Sequence, residues 1–72
     1  MKALVTYFMF GNGTYFKTIG RSKRETDSIF SRYFSKKEVQ KRGGAKRREG
    51  WFEVGSAVIG DYSGREKKWT TG

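Results

Sequence analysis

The sequence predicts a small α+β domain: an antiparallel β-sheet in ββαββ order, built from a β-hairpin, one or two short helices packed on one face, and a second β-hairpin. Three observations predict it. Two apolar arms flank a glycine-containing turn near the start of the chain. Serine capping patterns precede a short apolar stripe in the middle. A β-branched and aromatic run, a turn and an alternating polar run close it.

The first arm, residues 3–10, reads Ala-Leu-Val-Thr-Tyr-Phe-Met-Phe; the second, residues 14–19, reads Thr-Tyr-Phe-Lys-Thr-Ile. Gly11-Asn12-Gly13 joins them. A two-residue Asn12-Gly13 loop sets Phe10 opposite Tyr15 and Met9 opposite Phe16, whereas a three-residue loop shifts every pair by one. Both faces of the first arm are apolar, with Leu4, Phe8 and Phe10 on one and Val5, Tyr7 and Met9 on the other. Such a strand is either central and covered on both sides or leaves an aromatic face for a partner.

Gly20 ends the second arm. Ser22-Lys23-Arg24-Glu25 fits a capping box, and Thr26-Asp27 offers a second helix start. Ile29, Phe30, Tyr33 and Phe34 then form one helical stripe directed at a face of the hairpin. Ser35-Lys36-Lys37-Glu38 is another capping-box match, so the region is one kinked helix or two short ones, ending at Gly43-Gly44.

Residues 43–50 read as a flexible, basic loop, with glycines around Lys46, Arg47 and Arg48. Residues 51–59 read as a strand. Residues 60–64 are a turn by composition, and residues 65–71 form a polar edge strand whose lysines discourage unwanted pairing. Depending on register, the sheet face away from the helices shows Tyr7, Tyr15, Trp51 or Trp69.

At 72 residues the chain is one domain, residues 1–72, with a small core. It has no cysteine and no histidine, so disulfides, thiolate metal sites and imidazole chemistry are absent. Its stability is expected to come from aromatic packing, oligomerisation or a ligand, with twelve aromatic residues favouring the first, and the chain is expected to be a monomer or a homodimer. No apolar run has transmembrane length and no signal peptide is evident; a soluble, cytoplasmic protein with no membrane partner is expected.

The net charge is +9. Residues 21–48 hold eleven basic and three acidic residues, net +8, and the rest of the chain is nearly neutral. Charge concentrated this way works against compactness and points to a polyanion. The expected function is nucleic-acid binding, to DNA or RNA, without catalysis and without a cofactor or metal. Lys36, Lys37, Lys41 and Arg42 on the helix, with Lys46, Arg47 and Arg48 in the loop, are the candidate phosphate contacts. Tyr7, Tyr15 and Trp51 are the candidate base-stacking platforms.

No phosphate-binding loop, nucleophile elbow, dinucleotide fingerprint or nucleic-acid recognition motif is present. No catalytic residue is assigned; a metal-independent endoribonuclease working through Lys, Arg and Tyr is the enzymatic alternative. The other alternative is a protein-binding regulator or inhibitor, of the accessory kind carried by phages and plasmids. Such a protein docks an aromatic face and a basic flank on a larger, nucleic-acid-handling protein.

Overall fold

A computed structural model describes residues 1–68, with side chains through Tyr62. Its elements are β1 (Lys2–Phe10), β2 (Thr14–Gly20), α1 (Lys23–Tyr33), α2 (Lys36–Lys41), β3 (Ala45–Glu53), a short 3-10 turn (Ser56–Val58) and β4 (Tyr62–Lys68). The four strands form one antiparallel sheet in the order β3-β1-β2-β4. The small α+β fold with helical packing on one sheet face is as expected.

The hairpin closes through the three-residue loop. Phe8 pairs with Phe16 and Met9 with Tyr15. Gly13, at φ +90°, donates its N–H to the Phe10 carbonyl over 3.0 Å. Asn12 keeps a negative φ and its Oδ1 accepts from the Thr14 N–H at 3.0 Å and the Thr14 hydroxyl at 2.6 Å. The loop thus needs left-handed backbone only where glycine supplies it.

The helical region is two helices. Ser22 and Ser35 each accept a hydrogen bond from the backbone N–H three residues on, Glu25 and Glu38, both at 3.2 Å. α2 ends in a Schellman motif: the Gly44 N–H reaches the Val39 carbonyl at 2.9 Å and the Gly43 N–H reaches that of Gln40 at 3.0 Å. Gly43 and Gly44 sit at φ +87° and +81°, so the chain reverses within two residues.

That reversal corrects the reading of residues 43–50 as a flexible loop. From Ala45 onward the chain is β3, paired with β1 over nine residues from Lys2↔Glu53 to Phe10↔Ala45. Lys, Arg, Glu and Gly are poor strand formers, but pairing with the free edge of β1 satisfies the backbone and overrides propensity. The strand expected over residues 51–59 stops at Glu53, and Ser56–Val58 is a 3-10 turn. No second hairpin forms, since β3 and β4 lie on opposite edges of the sheet. β4 begins at Tyr62, inside the expected turn; the expectation for residues 69–71, Trp69 included, lies outside the described residues.

The core lies between sheet and helices. Phe8, Phe10 and Phe16 from the sheet meet Ile29 and Phe34 from the helical layer, with Phe30 and Val39 at the margin. Phe30 stacks on Phe8 with ring centroids 4.0 Å apart, and Phe34 sits 5.0 Å from Phe10 and 5.1 Å from Phe16. Tyr62, opposite Thr18, closes the β4 side against Phe16 and Tyr33. Each such ring pair adds about 0.5–1.5 kcal/mol beyond its buried area, which is how so short a chain holds a core.

Candidate nucleic-acid interface

Side chains alternate across a strand, and directly opposed residues of an antiparallel pair share a face. The register therefore fixes what the helix-free face displays. One row across the strands is Lys46, Met9 and Tyr15; the next is Arg48, Tyr7 and Lys17; Gly50, Val5 and Ile19 follow, and then Phe52 and Ala3, with Val5 and Ala3 buried so that the open part of the face is the end holding the first two rows. Two tyrosines thus occupy the middle of the face, with β3 cations on one side and Lys17 on the other.

The tyrosines are half-buried, with ring centroids 5.7 Å apart and planes inclined at 55°. Lys17 holds its ammonium 5.9 Å from the Tyr7 ring centroid. Lys46 and Arg48 are exposed, and neither has an ion-pair partner among the described residues. At the Lys46 end the face opens into a recess of about 380 Å³ walled by Met9, the Gly11, Gly43 and Gly44 backbones, and Lys46. At the far end the Phe52 ring lies over Gly50, where an added Cβ would come within 3.0 Å of it.

Charge is sorted by the same alternation. β3 turns Lys46 and Arg48 to the open face and Glu49 and Glu53 to the other. There the Thr6 hydroxyl donates to Glu49 at 3.4 Å, and Glu53 pairs with the Met1 amino group at 3.0 Å. Asp27 and Glu38 pair with Arg47 and Arg42. The face built by β1, β2 and β3 carries three cations and no carboxylate. Asp61 stands at its rim, with Lys17, Ile19, Val58 and Tyr62 around a second recess.

The structure brings together Tyr7, Tyr15, Lys46 and Arg48 of the residues predicted from sequence. It sets the others apart. Arg47 is on the helix side, bound to Asp27 with its guanidinium 5.2 Å from the Phe8 ring centroid. Arg42 is half-buried, its guanidinium 5.3 Å from the Phe10 ring and 5.0 Å from that of Phe34. Lys36, Lys37 and Lys41 are exposed on α2, in the helical layer. Trp51, opposite Leu4, also faces the helix side and is 56% exposed.

Lys17 and Met9 belong to the open face although sequence reasoning did not select them. The signal for Lys17 is its period-two spacing from Tyr15, as the one charged residue of an otherwise uncharged arm. Among the described residues no three His, Cys, Asp or Glu side chains cluster to hold a metal ion, and no helix is long and apolar enough to cross a membrane. No family model matches the chain, and no curated protein or solved structure matches it either.

Proposed function

We propose that this chain is a small nucleic-acid-binding protein that acts without catalysis and uses the open sheet face as its contact surface. The observation that carries the reading is the charge sorting: Lys17, Lys46 and Arg48 flank Tyr7 and Tyr15 on a face to which β1, β2 and β3 bring no carboxylate. Unpaired cations neutralise phosphates and release condensed counterions, which supplies affinity without sequence information. Other exposed cations, Lys36, Lys37 and Lys41 on α2 among them, strengthen the long-range field that draws a polyanion in. Both cation flanks lie within one chain, so a single copy suffices, and the cytoplasm is where such a protein meets its ligand.

The test is a titration of labelled oligonucleotides at several salt concentrations, with wild type and a Lys46→Ala/Arg48→Ala variant. Affinity should fall as salt rises, and the double variant should flatten the slope of log affinity on log salt by about 1.4–1.8, roughly 0.7–0.9 per phosphate contact. An unchanged slope removes the face from the site.

A second reading, a protein-binding regulator, has its own observation. β3 is an edge strand, and Trp51 and Phe52 near its end are each 56% exposed on opposite faces. An extended segment of a partner protein adding to this edge would cover both rings. Trp51→Ala, off the open face, would then abolish partner capture and leave nucleic-acid affinity intact.

A further inference from the structure

We infer that the open face selects single-stranded nucleic acid, with two neighbouring bases splayed onto Tyr7 and Tyr15 and the backbone held by Arg48 and Lys46 on one side and Lys17 on the other. The inference rests on the nucleic-acid reading and specifies its ligand.

The geometry of the two rings carries it. Their planes are inclined at 55° with centroids 5.7 Å apart. Successive bases in a duplex are stacked nearly parallel, so both cannot lie flat on platforms tilted this far from each other. Bases that are unpaired can turn independently, and each can lie on its own ring; every base has a π-face, so such stacking tolerates any sequence.

The surroundings of the rings point the same way. Arg48, Tyr7 and Lys17 form one row across three adjacent strands. Strands are spaced about 4.8 Å apart, so the backbones of the two cations stand about 9.6 Å apart with the ring between them. A single strand crossing this row sets a base on the ring and a phosphate beside a cation. A duplex is read instead through its major groove, by an inserted helix or β-ribbon. Here both helices pack on the opposite side of the sheet, and the three strands bring only side chains to the open face.

The experiment compares a labelled 12-nucleotide single strand of mixed sequence, as DNA and as RNA, with the duplex of the same sequence. Wild type should bind the single strand at least about tenfold more tightly than the duplex, and Tyr7→Leu and Tyr15→Leu should each lower single-strand affinity by about tenfold. Duplex affinity should not change in these variants, and Tyr7→Phe and Tyr15→Phe should stay within about twofold of wild type, because the ring is kept. A wild-type measurement guards against a leucine variant that does not fold: the Tyr7 and Tyr15 ring proton resonances should move on adding single strand and stay still on adding duplex.

Equal or tighter duplex binding, or ring resonances indifferent to single strand, overturns the single-strand inference. If binding still depends on Lys46 and Arg48, the broader reading stands. Absence of binding to every oligonucleotide, or binding indifferent to Lys46→Ala/Arg48→Ala, overturns both.

Discussion

Gly11 in the β1–β2 loop and Gly43 at the end of α2 pack backbone against backbone: a methyl group on Gly11 would collide with the Gly43 carbonyl oxygen. Two hydrogen bonds seal the contact, from the Gly11 N–H to the Gly44 carbonyl at 3.0 Å and from the Asn12 N–H to the Arg42 carbonyl at 2.8 Å. The pair fastens the hairpin tip to the turn that starts β3, and forms the wall of the recess beside Lys46. Gly11→Ala should therefore destabilise the domain by about 2 kcal/mol, because the neighbour is backbone and cannot step aside. Chemical denaturation measures it. A loss under about 0.5 kcal/mol would mean the two turns separate freely.

Helix starts at Ser22 and Ser35 are independent of the sheet face. Ser22→Ala and Ser35→Ala should each cost about 1 kcal/mol, since each removes the acceptor for an otherwise orphaned N–H. For a domain of this size that is a fall in melting temperature of about 4–8 °C. Nucleic-acid affinity, measured well below the transition, should not change.

Arg47 and Arg48 are sequence neighbours with opposite duties. Arg47→Ala loses the Asp27 pair and the packing on Phe8, and should lower stability by about 1 kcal/mol; the pair is partly solvent-screened, which keeps the figure small. Its salt slope should match wild type. Arg48→Ala should leave stability within about 0.5 kcal/mol and reduce the salt slope by about 0.7 on a single strand. Melting curves and salt titrations of the two variants side by side decide it; the same pattern in both would contradict the alternation.

Among the described residues, Trp51 is the largest exposed side chain off the proposed contact face, 56% accessible and opposite Leu4. Trp51→Ala should change oligonucleotide affinity by no more than about twofold. A larger loss would carry the ligand round the β3 edge to the helix side.

The legible parts of this chain were those governed by local rules. Ser35 marks the break between helices because a capping box is a local pattern, and the stripe of Ile29, Phe30, Tyr33 and Phe34 was visible because helical periodicity is. Tyr7 and Tyr15 could be nominated from period-two spacing alone. β3 was illegible for the opposite reason. Residues 45–50 read Ala-Lys-Arg-Arg-Glu-Gly, and only the free edge of β1, distant in sequence, makes them a strand. Without that strand, Arg47 could not be told from Arg48. The hairpin register was similarly undecidable, because Gly11-Asn12-Gly13 suits both a two-residue and a three-residue loop, and the two differ by one in every pair.

The two glycines that precede β3 have a consequence for the whole length of a surface they border only at one end. Nine residues enter the sheet in the phase that the Gly43-Gly44 turn dictates. Advance that phase by a single residue and each β3 side chain crosses to the other face. Arg47, Glu49, Trp51 and Glu53 would then look outward, and the strand's contribution to the open face would pass from net +2 to net −1. The fold thus stores the sign of its surface as a residue count in a turn. An insertion or deletion there can leave the strand's composition intact and still convert an anion-attracting wall into a repelling one.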